Sequence, residues 1–550
     1  MLVIIVLLSS CNQNKSKMEA PVAKKIKKEL NIHEHSRIDN YYWMNDRDNP
    51  EVLAYLEEEN AYTREMLKHT EALQDQLYNE IIGRIKQTDM SVPYLLNGYY
   101  YYSRYEEGQE YPLHCRKKGS MEGDEEIMID GNMMAEGYEY FSVGGLNVSP
   151  DNKLLAYGVD TVSRRKYTIH VKNLETGEIL SEAIPNTTGY AAWARDNKTL
   201  FYTLKNEETL RPEKIMRHTL GEPNENDKLI FFEEDEEFTT VVFQSKSREL
   251  IMIGSHSTLS TEYQYIDADN PEDEFKPVLS RQDDLEYFVE HYKDKFYIRT
   301  NYKAKNFRLM EMPMNGSGLE SWKEVIPHRP EILLEDFEVF RDFLVIDERI
   351  KGLTNIRIID WKNDKDYYLD FGESTYMAYI SRNVEFDTDV LRYGFSSLIT
   401  PGSVFDFNMI TKERELLKQQ EIVGGYDASL YQSERLFAMA GDGMEVPMSL
   451  VYKKGINKDG SNPLLIYGYG SYGSSSDPYF SSVRLSLLER GFIFAIAHVR
   501  GGEELGREWY EDGKLLNKKN TFSDFIACTE FVIKQKYTSP DPVSYTHLRA

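Results

Sequence analysis

The sequence predicts two folded domains of different class, a seven-bladed β-propeller followed by an α/β domain. A turn followed by an apolar strand recurs through the middle of the chain, and short apolar strands alternate with helical segments near the C-terminus. A chain of 550 residues has room for both, because single domains of about 100–200 residues are typical. Hydrophobic residues make up 41% of the chain, which is enough for packed cores and excludes global disorder.

A helical segment comes first, in residues 29–84. The sequence Asn49-Pro50-Glu51 is typical of a helix start, with Asn as the N-cap and Pro at the first helical position. Further along, apolar residues recur at every fourth position, which predicts a stripe on one helix face. The stripe consists of Leu73, Leu77, Ile81 and Ile85.

The propeller prediction covers residues 85–425. Turns such as Asp151-Asn152 and Asp196-Asn197 each precede an apolar strand. The units are spaced by about 45–55 residues, which is the length of a four-stranded blade, so about seven of them fit. Unrelated hairpins with similar turn chemistry are the alternative, and the regular period argues against them.

The α/β domain is predicted over residues 426–541. Asp442-Gly443 is typical of a hairpin turn. The predicted elements that follow are a strand at 463–467, a helix at 480–490, a strand at 492–499 and a helix at 521–536. Strands alternating with helices indicate a doubly wound, mostly parallel sheet. Residues 542–550 are expected to be a tail that departs from the pattern of this domain.

The net charge of the chain limits the classes of ligand that it is expected to bind. A net charge of −26 disfavours nucleic-acid binding and would attract cationic ligands such as peptides with Lys or Arg. The alternative is that the charge serves only solubility. Three cysteines do not make a disulfide framework, and we expect Cys115 and Cys528 to be buried free thiols.

Residues 1–28 are predicted to be a signal and tether. The apolar run before Leu8-Ser9-Ser10-Cys11 is too short to span a bilayer, and it resembles the lipobox of bacterial lipoproteins, with Cys11 as the lipidated residue. No Lys or Arg precedes the run, which departs from that pattern. We expect a lipid anchor on the periplasmic side of a bacterial cell envelope; the alternative is the cytoplasm.

The sequence Gly468-Tyr-Gly-Ser-Tyr-Gly473 formally matches a dinucleotide fingerprint. Its context argues against a nucleotide, because no helix opens at the third glycine and the next strand ends without an acid for the ribose. We therefore expect no cofactor, and His33 and His35 lack a third ligand for a metal. A phenol at the strand end, from Tyr467 or Tyr469, could instead donate to an oxyanion or simply pack on the sheet.

The block from Tyr467 to Phe525 resembles the prolyl oligopeptidase family of serine peptidases, and in particular its oligopeptidase B branch, which cleaves short peptides after basic residues. The resemblance covers almost the whole chain. It implies a seven-bladed propeller that caps an α/β-hydrolase domain. It also implies that Tyr469 supplies the oxyanion hydroxyl, that Tyr472 lies beside the bound peptide and that Asp477 helps to bind a second basic residue. Tyr479 stands where a companion acid is often found, so a preference for dibasic sites does not follow.

The sequence G-x-S-x-G, in which α/β-hydrolases place the nucleophilic Ser ahead of Asp and His, does not occur in the 550 residues. Ser544 lacks flanking glycines and His547 follows it too closely, so we assign neither to a triad. We expect the triad to lie beyond residue 550, the fragment to be inactive and its incomplete sheet to leave an open edge. The alternatives are a non-catalytic, lipid-anchored propeller that binds a partner, and an esterase on the same fold.

Overall fold

The structure, a computed structural model, describes residues 18–363, 365–541 and 543–546. The chain divides into two compact units, Met1–Gly83 and Arg84–Ala550. Cys11 and His547, which the sequence analysis discussed, lie outside the described residues. None of the helices in the described ranges is both long enough and apolar enough to cross a membrane.

The first unit contains a β-hairpin and two helices. Its elements are β1 (Lys28–Ile32), β2 (His35–Asp39), α1 (Pro50–Leu67) and α2 (Glu71–Ile82). The predicted start of α1 is confirmed, since the Asn49 side chain accepts a hydrogen bond of 3.0 Å from the backbone N–H of Glu51. The predicted stripe begins within α2, where Leu73 is exposed, and Ile85 follows the end of that helix.

The second unit begins with a propeller of seven four-stranded antiparallel blades. Five blades form separate sheets, while the second and third share one seven-stranded sheet. In chain order the elements are β3 (Tyr94–Leu96), β4 (Tyr99–Arg104), β5 (Leu113–Lys118), β6 (Glu125–Asp130), α3 (Gly131–Ala135), β7 (Ser142–Val148), β8 (Leu154–Asp160), β9 (Tyr167–Asn173), β10 (Ile179–Trp193), β11 (Thr199–Lys205), β12 (Pro212–Thr219), β13 (Lys228–Phe232), β14 (Thr239–Gln244), β15 (Leu250–His256), β16 (Thr261–Asp267), β17 (Lys276–Leu279), β18 (Tyr287–Tyr292), β19 (Lys295–Thr300), β20 (Arg308–Pro313), β21 (Lys323–Ile326), β22 (Ile332–Val339), β23 (Phe343–Ile350), β24 (Leu353–Asp360), β25 (Lys365–Tyr368), β26 (Tyr376–Ile380), β27 (Val390–Ser397), β28 (Ser403–Asn408) and β29 (Arg414–Gln419).

The turns of the propeller use the residues that the repeat predicted. Asn152 and Asn197 adopt φ of 64° and 59°, a left-handed conformation that Asn tolerates better than most residues. The Asp196 carboxylate accepts hydrogen bonds from the N–H groups of Lys198 and Thr199, both at 2.9 Å. These local bonds fix each turn and set the register of the strands that follow.

The seven-stranded sheet arises because β10 serves two blades. Its pairing slips between Ile184 and Thr187 on one side and between Thr187 and Ala191 on the other. Pro185 lacks an N–H for the ladder, and Gly189 adopts φ of 91°, so the strand bends here without ending. The first part of β10 closes one blade and its second part opens the next.

The α/β domain follows the last blade. Its elements are β30 (Tyr431–Met439), β31 (Glu445–Lys453), β32 (Leu464–Tyr467), α4 (Leu485–Leu488), β33 (Ile493–Ala497), α5 (Arg507–Glu511), α6 (Lys519–Lys534) and β34 (Val543–Thr546). The sheet order is β30-β31-β33-β32-β34. The hairpin β30–β31 joins the sheet by antiparallel pairing, whereas β33, β32 and β34 run parallel. The predicted combination of a seven-bladed propeller with an α/β domain is confirmed.

Two details differ from the prediction. The helix predicted at 480–490 is confined to α4, because Phe480 is buried and its backbone N–H is bonded to the Ser396 hydroxyl of the propeller at 3.0 Å. The sheet also continues past residue 541, since β34 pairs in parallel with β32 over its whole length. Such a ladder depends on backbone groups and not on a side-chain pattern, so the strand within residues 542–550 could not be predicted from the sequence.

The predicted state of the two described cysteines is confirmed. Cys115 in blade 1 and Cys528 on α6 are free and fully buried. Cys528 packs in the core of the α/β domain with Trp509 and Phe525. Burial raises the pKa of the Cys115 thiol to about 11, so this thiol is neutral near pH 7 and its role is packing.

Candidate active site

The segments that carry the predicted site residues meet at one edge of the α/β sheet. Strands β32 and β33 pair in parallel, so the turns that follow them leave the same edge. The N–H of Gly473 donates to the carbonyl of Gly501 at 3.0 Å. Gly501 adopts φ of 102°, and a Cβ at this position would collide with the carbonyl oxygen of Gly470. The glycines in these turns therefore allow two backbones to come into contact.

Tyr469 lies in the first turn and is half-buried. Its hydroxyl makes no hydrogen bond to any group in the described part of the chain, so it is available to a ligand. Burial raises the pKa of Tyr467, and the neighbouring phenols of Tyr479 and Tyr469 raise it further. Tyr472 is 76% exposed and adopts φ of 58°, so most of its side chain is open to solvent.

Lys518 holds this turn from the start of α6. Its ammonium group donates to the carbonyl of Gly470 and, at 2.7 Å, to the hydroxyl of Ser471. Burial lowers the pKa of Lys518. The sequence analysis missed this lysine, because nothing in its local pattern distinguishes it from its solvent-exposed neighbours. Because it contacts Gly470 and Ser471, the two residues directly after Tyr469, it is a residue that positions Tyr469.

The second turn is fixed by a buried ion pair between Arg500 and Asp524. The Asp524 carboxylate accepts bonds from the Arg500 Nε at 2.8 Å, from Nη2 at 2.6 Å and from the backbone N–H at 3.0 Å. Asp442 adds a contact of 2.7 Å to Nη1. The side chains of Arg500 and Asp524 are 3% and 0% exposed, so this pair ties the turn to α6 inside the domain.

Asp477 is paired with the propeller. Arg349 on β23 donates to both carboxylate oxygens of Asp477, at 2.6 and 3.2 Å, and to Glu335 on β22 at 2.7 Å. The Arg349 side chain is 4% exposed. A basic substrate residue that reaches Asp477 must therefore share this carboxylate with Arg349. The assignment of Asp477 to substrate binding remains a prediction.

Asp477 belongs to a group of carboxylates that we call the acidic cluster. Its six members among the described residues are Glu286, Glu335, Asp336, Asp347, Asp477 and Glu503. Burial is the main cause that raises the pKa of the first four, and neighbouring carboxylates raise it further in Glu286, Glu335 and Asp347. Five cationic side chains interact with the cluster, those of Arg299, Arg349, Arg435, Arg507 and Lys514. A bound cation would favour the ionised form of these carboxylates.

A Ser–His contact lies in the same domain but is sealed. The hydroxyl of Ser449 is 2.8 Å from Nε2 of His498 and 2.7 Å from the hydroxyl of Thr375. Nδ1 of His498 is 3.9 Å from the Glu504 carboxylate, and burial lowers the pKa of His498. Ser449 and His498 are 0% and 1% exposed. A substrate carbonyl cannot reach this serine, so the arrangement joins the propeller to the α/β domain and is not a catalytic triad.

The chain matches two family models. "Prolyl oligopeptidase, N-terminal beta-propeller domain" matches residues 21–420, and "Prolyl oligopeptidase family" matches residues 478–546. The chain belongs to the prolyl oligopeptidase family. This confirms the resemblance inferred from the residues 467–525. The second match also includes β34, in agreement with its place in the sheet.

Two relatives in the prolyl oligopeptidase family have informative names. Dipeptidyl aminopeptidase BI of Pseudoxanthomonas mexicana is 42% identical over 531 residues, which cover 93% of this chain and 73% of the relative. Protease 2 of Moraxella lacunata is 39% identical over 530 residues, which cover 95% of this chain and 76% of the relative.

Solved structures of the prolyl oligopeptidase family share this fold. Oligopeptidase B from Leishmania major has a TM-score of 0.90 and 32% identity, and the match covers 96% of this chain and 78% of that one. Oligopeptidase B from Trypanosoma brucei, in a closed form with covalently bound antipain, has a TM-score of 0.88 with the same identity and coverage.

Proposed function

We propose that this protein acts in serine-type cleavage of short peptides after Lys or Arg. Membership of the prolyl oligopeptidase family supports the reaction class. The acidic cluster supports the preference, because it places six carboxylates against five cationic side chains where the propeller meets the α/β domain. A Lys or Arg side chain would supply the missing positive charge there.

In this proposal Tyr469 is the catalytic group that these residues contribute. Attack by a serine on the peptide carbonyl builds negative charge on the carbonyl oxygen, and a pre-positioned hydroxyl stabilises it. Tyr469 has its hydroxyl free, and Lys518 holds its turn in place. Tyr472 would lie beside the peptide, and a basic side chain of the peptide would share the Asp477 carboxylate with Arg349.

A second proposal follows from the lack of G-x-S-x-G in the 550 residues. We propose that residues 1–550 on their own bind basic peptides without hydrolysing them. Incubation of this chain with Arg- and Lys-linked amides and with simple esters tests this. Amide turnover would refute the inactivity, and turnover of esters alone would favour an esterase. Binding without turnover of either class is the expected result, and it leaves a non-catalytic binding protein as the competing interpretation.

The preference for basic residues is tested by binding alone. Isothermal titration calorimetry compares benzoyl-arginine amide with its citrulline counterpart, which has the same shape but no charge. We expect the arginine compound to bind more tightly, and its affinity to fall as the pH is lowered and the cluster is protonated. The Glu335→Gln variant should weaken it roughly tenfold, whereas the exposed control Glu175→Gln should not. Equal affinity for the two compounds would refute the proposed preference for basic residues.

We also propose that Cys11 carries a lipid anchor that holds the protein in a bacterial cell envelope. The support is the lipobox-like Leu8-Ser9-Ser10-Cys11. In a bacterial host that processes lipoproteins, the full chain should fractionate with membranes and incorporate a labelled fatty acid. The Cys11→Ser variant should lose both properties, while Cys115→Ala should keep them. An unlabelled wild-type chain in the soluble fraction would contradict the anchor.

A further inference from the structure

A cavity of about 430 Å³ opens at the centre of the propeller, at the end away from the acidic cluster. Its wall comes from the turns that follow the first strand of several blades. Strand β26 shows which end this is. Thr375, just before the strand, contacts Ser449 of the α/β domain, while Arg382, just after it, lines the cavity. At about 3.3 Å per residue, seven residues of extended chain separate these ends by roughly 20 Å.

The charge of this cavity is opposite to that of the whole chain. Four cations line it, and Glu385 is the one carboxylate among the described lining residues. Two of the cations already have acidic partners, since Lys246 pairs with Glu338 and Arg195 pairs with Asp269 at 3.1 Å. The local surplus of positive charge therefore rests on the other two, Arg248 and Arg382.

These two guanidiniums are held without a carboxylate partner. Within the described ranges neither makes an ion pair, and Glu385 influences Arg248 only from beyond the distance of an ion pair. Arg382 stacks on the ring of Tyr94, with its guanidinium carbon 3.8 Å from the ring centroid, and its interaction with the Tyr94 hydroxyl is with a neutral group and not with a carboxylate. Burial lowers the pKa of Arg248, which means that this charge has lost water without gaining a counter-charge.

The rest of the wall indicates the size and character of a ligand. Tyr94 and Tyr101 stack with their centroids 5.5 Å apart, and Leu96, Val148 and Leu155 add apolar surface. A volume of this size lies within the range of small-molecule sites, and the lining combines this apolar surface with polar and cationic side chains. Two guanidinium forks are suited to the paired oxygens of a carboxylate or phosphate.

We propose that this cavity is a binding site for a small organic anion, in which Arg248 and Arg382 hold a carboxylate or phosphate group and the tyrosine wall contacts an apolar body. The proposal does not rest on the peptidase function, because none of its residues belongs to the candidate active site. It assigns to the propeller a ligand of opposite charge to the peptides proposed for the other end.

Isothermal titration calorimetry on the full chain tests the site with phenyl phosphate and benzoate, which share a ring and differ in the anionic group. Benzyl alcohol, which has the ring but no charge, is the control. We expect at least one of the two anions to bind with a dissociation constant below about 10 mM, and benzyl alcohol to give no heat. Binding of one anion alone identifies its group as the preferred one. If neither anion gives heat at this concentration, the proposal is wrong.

Variants locate the binding. Arg248→Gln and Arg382→Gln should each weaken it roughly tenfold, and Arg248→Lys and Arg382→Lys should weaken it less, because they keep the charge and lose the fork. Arg414→Gln is the matched control, since Arg414 also stacks on a ring, that of Phe405, but outside the cavity. Melting curves confirm that each variant is folded. Unchanged affinity in Arg248→Gln and Arg382→Gln would place the anion elsewhere and overturn the proposal.

Discussion

Replacing Asp524 by Asn removes the negative partner of a guanidinium that is enclosed in the α/β domain. Arg500 is 3% exposed and donates three hydrogen bonds to the Asp524 carboxylate. Breaking a buried pair by neutralising one partner typically costs about 3–5 kcal/mol, because the other charge stays buried. Asp442 remains within 2.7 Å of the guanidinium, so we expect the lower end of that range, about 3 kcal/mol.

The assay is thermal and urea unfolding of Asp524→Asn beside Asp442→Asn. Both variants neutralise a carboxylate on the same guanidinium, but Asp442 is 45% exposed, so its loss should cost less than about 1 kcal/mol. A loss of about 3 kcal/mol lowers the melting temperature of a domain of this size by roughly 6–12 °C. Hydrogen exchange should locate the effect in the backbone of residues 493–502. If the two variants are equally stable, burial of the pair does not hold the second turn, and this reasoning is refuted.

Three other predictions follow from single contacts. Gly501→Ala should lower the melting temperature, because the φ of 102° at Gly501 is strained for alanine and the carbonyl of Gly470 leaves no room for a Cβ. Gly441→Ala should not lower it, because the space around Gly441 is open. Equal melting temperatures for the two variants would contradict the prediction. In urea unfolding, Tyr469→Phe should leave the stability unchanged. Tyr287→Phe should cost about 1–2 kcal/mol, since the buried hydroxyl of Tyr287 donates to a backbone carbonyl and accepts from a backbone N–H. A destabilised Tyr469→Phe would show that the Tyr469 hydroxyl has a structural partner. Burial raises the pKa of Glu290 to about 7, so the folded state keeps a proton that the unfolded state loses above about pH 4. The free energy of unfolding should therefore fall as the pH rises from about 4 to about 7. Urea unfolding at pH 4–8 should show a smaller decline for Glu290→Gln, and an unchanged pH profile in this variant would refute the prediction.

The fold could be predicted where local chemistry decides it. Asn152 and Asn197 mark turns because their own conformational tolerance makes those turns, and such units repeat at the length of a blade. The strands at 464–467 and 493–497 could be predicted for the same reason, since a short apolar run between turns has few other structures available. The sharing of β10 between two blades could not, because it depends on how bulges are tolerated within a sheet.

The candidate site was predictable only in part, and the reason is sequence distance. Tyr469 stands within a motif, so its position at a strand end follows from the sequence and the family resemblance. Lys518 contacts that turn from 47 residues away, and Arg349 reaches Asp477 across 128 residues. Side chains that meet through the tertiary fold leave no period or local pattern. The partners that position a site are therefore found only in the structure.

The distribution of charge over the surface could not be predicted from the sequence either. A net charge of −26 predicts an attraction for cations anywhere on the surface, yet the propeller carries charges of opposite sign at its two ends. The acidic cluster gathers carboxylates at the end that meets the α/β domain. At the other end, Arg248 and Arg382 in the central cavity of the propeller have no acidic partner among the described residues. Because the field in a cleft depends on the charges that line it and much less on the total, we expect each end to favour its own class of ligand, so the basic peptide and the small anion of the two proposals are compatible with one acidic protein.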